Sequence, residues 1–145
     1  MRRFAAILYL CSVAGTVQAQ DLCDQLSGLM KQETAGEFAI PVLFESQAKC
    51  RLSRTLSGGI AHHCGWPFAF RASEANEAFV WLLDGVAKCL GKGAVVTTDD
   101  GVNHPDSYDL KMFRTEAGTV GVSLKDKSAL QQTYVFLRVE KTPAQ

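Results

Sequence analysis

Ile60-Ala61-His62-His63-Cys64-Gly65-Trp66-Pro67-Phe68-Ala69-Phe70 is the stretch that decides the fold. Ile60, His62, Cys64, Trp66, Phe68 and Phe70 occupy alternate positions, so an extended chain presents all six on one face. A strand with one apolar face must bury it against another layer. Pro67 has no N–H to give to a ladder, which directs this strand toward a sheet edge or a bulge. Aromatic side chains at this period read as core before they read as a platform for a peptide or glycan.

Upstream, residues 49–56 alternate as well. Cys50 and Leu52 share one face, and Lys49, Arg51, Ser53 and Thr55 the other. Ser57-Gly58-Gly59 is a turn signal, so the two runs form a hairpin that sets Cys50 opposite Cys64. Residues 38–48 fit either a short helix opened by Pro41 or an extended segment. Before them, Asp21 caps a helix whose Leu22, Leu26, Leu29 and Met30 line one face; Gly28 weakens it and it fades by Gly36.

Downstream, Ser73 caps the strongest helix. Ala75, Ala78, Phe79, Leu82, Leu83, Val86 and Leu90 keep its apolar stripe, and Gly91 ends it. Residues 91–108 are loop-rich, with room for a short strand at Ala94-Val95-Val96. Residues 110–115 and 119–124 form a hairpin across Glu116-Ala117-Gly118, and Lys125-Asp126-Lys127 turns the chain. In the last strand, residues 133–139, Tyr134 and Phe136 oppose Val135, Leu137 and Val139, and two apolar faces mark a central strand. The expected class is α+β: a small antiparallel sheet of about five strands, two or three helices packed on one of its faces, and disulfide staples.

Residues 1–19 read as a secretory signal peptide. Arg2 and Arg3 precede an apolar run from Phe4 to Val13, and Val17 and Ala19 place small or modest side chains at the two positions a signal peptidase reads before Gln20. The run is too short to span a bilayer, which takes about 20 apolar residues. Residues 20–145 then form a single domain. The chain carries 15 basic and 15 acidic residues; losing Arg2 and Arg3 leaves 13 against 15, a net −2. No basic block provides a footprint for nucleic acid, and no motif calls for a cofactor. Removal of Cys11 leaves Cys23, Cys50, Cys64 and Cys89, an even number suited to an oxidising compartment. The hairpin pairs Cys50 with Cys64, and Cys23 then bridges to Cys89.

Chemistry has two places to reside. His62-His63-Cys64 sets a thiol beside imidazoles, yet neighbours on a strand point to opposite faces, and Cys64 has a bridging mate. The second place is the polar loop of Asp99, Asp100, Asn103, His104, Asp106, Tyr108 and Asp109, the candidate binding loop. Its donors suit a cation, but their spacing departs from the calcium-binding helix–loop–helix pattern. The resulting expectation is an exported, periplasmic or secreted protein that binds a protein partner without catalysis, of the inhibitor or immunity type found in bacteria. The competing expectation is a small exported hydrolase, with or without a metal, using His104, Asp106 and either His62 or His63.

Overall fold

A computed structural model describes residues 16–31, 44–56, 58–99 and 106–141, with side chains from Asp21 onward. Its elements are α1 (Thr16–Lys31), β1 (Lys49–Arg54), β2 (Ile60–Ala69), α2 (Ser73–Leu90), β3 (Val95–Asp99), β4 (Tyr108–Arg114), β5 (Gly118–Lys127) and β6 (Gln132–Lys141). The strands form one antiparallel sheet in the order β1-β2-β6-β5-β4-β3. The fold is α+β with six strands rather than about five, and two α-helices among the described residues. The additional strand is β3. The sequence left room for a short strand at Ala94-Val95-Val96, and the observed strand extends from Val95 to Asp99; every residue in it is exposed, so no apolar–polar alternation marks its extent.

Both helices lie against the centre of the sheet. Leu22, Leu26 and Leu29 of α1 meet Ala75, Ala78, Phe79, Leu82 and Val86 of α2 in one core. Cys64, Trp66, Val120, Val122, Val135, Leu137 and Val139 supply the sheet side of that core. Gly85 allows the close approach of the helices, because a Cβ there would fall 2.6 Å from Cδ2 of Leu22. Among the described residues, no helix is long and apolar enough to cross a membrane.

Four local readings change. Asp21 lies inside α1, which already begins at Thr16, so it is not the cap. Ala72 precedes α2 without a side-chain cap, and the Ser73 hydroxyl donates to the Glu74 carboxylate instead. Lys125-Asp126-Lys127 continues β5, and the chain turns at Ser128–Leu130 and Gln131, which has φ 52°. Finally, β2 lies inside the sheet although it contains Pro67. The ladder explains this. Thr55 N–H donates to Gly59 O, which sets alternate residues of β2 through Gly65 and Pro67 facing the β1 side. β1 stops at Lys49 opposite Gly65, so Pro67 stands beyond its end and no ladder bond is lost. The Ser46 hydroxyl donates to the Pro67 carbonyl in that space, at 2.8 Å. Most of the ambiguous 38–48 segment, and residues 1–15 of the expected signal peptide, lie outside the described residues.

Disulfides join Cys50 to Cys64 across the hairpin and Cys23 of α1 to Cys89 of α2. The second spans 66 residues and the first 14. Replacing Cys23 and Cys89 together by Ser is expected to lower unfolding free energy by about 4 kcal/mol, against about 3 kcal/mol for the Cys50 and Cys64 pair, from loop entropy. Urea titration of the two double variants checks the order.

Candidate functional site

The strand register assigns every side chain to one of two faces. His62, Cys64, Trp66 and Phe68 point toward the helices, whereas His63 points to the opposite, open face. His62 is buried, and burial lowers its pKa below the usual histidine value. Cys64 is bridged, so no free thiol stands beside either imidazole.

The predicted binding loop is divided by the structure. Asp99 closes β3, Tyr108 and Asp109 open β4, and Asp106 stands just before β4; Asp100, Asn103 and His104 lie outside the described residues. Asp106 is a clasp for the turn after β5. Its carboxylate accepts from Ser128 N–H at 2.9 Å, from the Ser128 hydroxyl at 3.1 Å and from Lys127 Nζ at 3.3 Å. These bonds hold its pKa below the ordinary carboxylate range. Asp109 lies 3.4 Å from Lys111. Neither His62 nor His63 approaches Asp106. His63 pairs through Arg138 with Gly121, and Asp106 binds Ser128, seven positions further along the chain that forms β5, or roughly 20 Å. Among the described residues, no three His, Cys, Asp or Glu side chains could hold a metal together.

Asp126, which the sequence reading gave to a turn, is the centre of a buried polar network. It accepts from the Thr133 hydroxyl at 2.7 Å, the Ser107 hydroxyl at 2.7 Å and Arg71 Nε at 2.9 Å. Arg71 N–H in turn donates to the Thr133 oxygen at 2.8 Å. Arg71 has φ 57°, so the network also secures a left-handed residue at the turn between β2 and α2. Burial opposes ionisation of Asp126, but the three donors together lower its pKa. The available signal was its place in the period-two row Val120, Val122, Leu124, Asp126, a polar residue at a core-facing position.

The open face is the other feature that sequence reasoning missed. No described helix covers it. Its rows run Tyr108–Lys125–Tyr134–Pro67, Leu110–Ser123–Phe136–Gly65–Lys49, and Met112–Gly121–Arg138–His63–Arg51. Large side chains alternate with small ones between neighbouring strands. The Phe136 ring lies over Gly65, where a Cβ would come within 2.7 Å of it, and Met112 Sδ lies over Gly121 at 2.9 Å from such a Cβ. Tyr134 stacks on Phe136 with ring centroids 5.4 Å apart, and His63 meets Phe136 at 5.0 Å. The face therefore covers itself while leaving aromatic edges in water.

Charge on this face is one-sided. Lys49, Arg51, Arg114, Lys125, Lys127 and Arg138 share it with Asp99, Asp106 and Glu140. Glu140 pairs with Arg138 at 3.1 Å, Lys127 reaches Asp106, and Lys125 lies over the Tyr108 ring. His63 registers the field: burial and the charges of Arg51 and Arg138 all lower its pKa.

A cavity of about 620 Å³ lies elsewhere, bordered by Phe44, Glu45, Phe68, Ala69, Ala72 and Glu74. It is open to solvent and carries no imidazole or nucleophile.

Two pH effects follow. Asp126 has a depressed folded pKa, so its stabilisation is present above the ordinary carboxylate value of 3.8 and lost as pH falls through the folded value. Asp126→Asn is expected to cost about 1–3 kcal/mol at pH 7, a difference from the parent that shrinks below pH ~4. His62 and His63 also have lowered pKa values, so the unfolded chain binds protons first and stability falls as pH drops below 6.5. His63→Gln is expected to flatten the loss between pH 7 and 5, measured by thermal unfolding across that range.

The sequence matches no protein-family model and has no significant similarity to a curated protein, so the reading of these surfaces rests on their own chemistry.

Proposed function

We propose that this chain is an exported, disulfide-bonded binding protein that acts without catalysis by docking its open sheet face on an acidic surface of a protein partner, in the periplasm, as an inhibitor or immunity protein does. The observation that carries this reading is the composition of that face. Tyr, Phe, Met and Arg are the side chains enriched where proteins bind one another, and here they pave a surface that no described element covers. Six cations against three acids, on a chain with 15 of each sign, favour an acidic partner. Two disulfides support a rigid presentation of the face and suit an oxidising compartment. The signal-peptide reading of residues 1–19 agrees with that address.

The hydrolase reading needs His62 or His63 beside Asp106, and these groups stand far apart along the sheet. Only His104, outside the described residues, is left to that proposal.

Arg51→Glu with Arg138→Glu reverses charge on exposed side chains and leaves the core untouched. Immobilised parent protein is expected to retain one stoichiometric partner from periplasmic extract, and the double variant to lose at least about 2 kcal/mol of that affinity. Equal retention by both proteins, or retention that strengthens with added salt, would sink the open-face assignment.

A further inference from the structure

The two edges of the sheet are built differently. β1 carries exposed Lys49, Arg51 and Arg54 and is clipped to β2 by a disulfide, and such charges discourage the addition of a strand. β3 forms the opposite edge, and no described strand pairs with its outer side. It is Val95-Val96-Thr97-Thr98-Asp99, four β-branched residues and one acid, with Val95 62% and Val96 53% exposed. It contains no lysine, arginine or proline.

The ladder shows which backbone groups are open. Asp126 N–H donates to Ser107 O, and Thr115 N–H to Gly118 O, so odd-numbered residues of β4 bond toward β5 and even-numbered ones toward β3. The even residues Leu110, Met112 and Arg114 pair with Asp99, Thr97 and Val95. Val96 and Thr98 therefore direct both N–H and C=O away from the sheet.

We propose that this edge pairs with β3 of a second copy, antiparallel about a two-fold axis at Thr97, to make one continuous sheet. Val96 of one copy then meets Thr98 of the other, and the reverse, each pair exchanging both backbone bonds. Thr97 faces its own counterpart as a non-hydrogen-bonded pair, and Val96 packs beside Thr98 as a β-branched cross-strand pair. Charge selects this direction. Lys92 precedes β3 and Asp99 closes it, so antiparallel pairing brings the acidic end of one strand toward the basic end of the other. Parallel pairing would set Asp99 against Asp99. The strand is short, so the dimer is a weak, reversible one. This surface is separate from the open face and stands whether or not the partner reading holds.

A cysteine at the two-fold position reports the register. Non-hydrogen-bonded Cα atoms lie about 4.5 Å apart, within disulfide reach. Under mild oxidation, Thr97→Cys is expected to form a covalent dimer at least about tenfold faster than Val95→Cys, Thr98→Cys or, on α2, Val80→Cys, as read on a non-reducing gel. Adding Val96→Pro deletes one outward N–H and no internal ladder bond, and is expected to bring the Thr97→Cys rate down to that of the others. Equal rates for all four cysteines, a maximum at another position, or an advantage that survives Val96→Pro would each overturn the proposal. If the proline chain does not fold, sedimentation of the parent decides: self-association on approach to millimolar concentration supports the pairing, and a monomer throughout overturns it.

Discussion

Everything in this structure depends on burying one face of the central strands beneath two helices. Trp66 of β2, Val135 of β6 and Val120 and Val122 of β5 are excluded from water, as are Leu22, Leu26, Leu82 and Val86 above them. Because side chains alternate along a strand, a slip of one residue would exchange this set for Gly65, Phe136, Gly121 and Ser123. The apolar contact thus fixes the register of the middle of the sheet, and the other features take their positions from it. Cys50 falls opposite Cys64, Asp126 falls opposite Thr133, and the cations fall on the face that no described helix covers.

Among the described residues, one helical layer leaves the second face without a roof. The chain meets this with side chains of unequal size, large on β6 and β4 and small on β2 and β5. Phe136 and Met112 recline over glycines and bury much of their own surface. What stays accessible is a sheet of ring edges and guanidinium groups rather than a continuous apolar patch. Such a surface remains hydrated when free and has much to offer a partner that supplies carboxylates.

The ends of the sheet are closed by polar means. At the end where β5 turns into β6, Asp126 and Asp106 gather donors from the turn after β2, the segment before β4 and the turn itself. A buried carboxylate with three donors is stable as an ion, and the loss of any donor would leave part of it unsatisfied. The side edges differ. β1 is closed by its bridge and its charges, and β3 offers exposed valines on an edge that no described strand pairs with.

The sequence by itself determined the alternation of β1 and β2, the apolar stripe of α2 and its end at Gly91, the hairpin of β4 and β5, and the central place of β6. These are properties of period, and period is written in the chain. It also placed Cys50 on the same face as Cys64, from the turn alone. Tertiary structure decided the rest. β3 has no buried side, so the sequence offered only a short strand at Ala94-Val95-Val96, and its run to Asp99 follows from pairing with β4. Pro67 is tolerated inside the sheet because β1 ends before reaching it. Asp126 looks like a turn residue until Thr133, Ser107 and Arg71 arrive from distant parts of the chain. The cationic aromatic face is likewise invisible along the chain, since its members come from five strands and only the ladder sets them side by side.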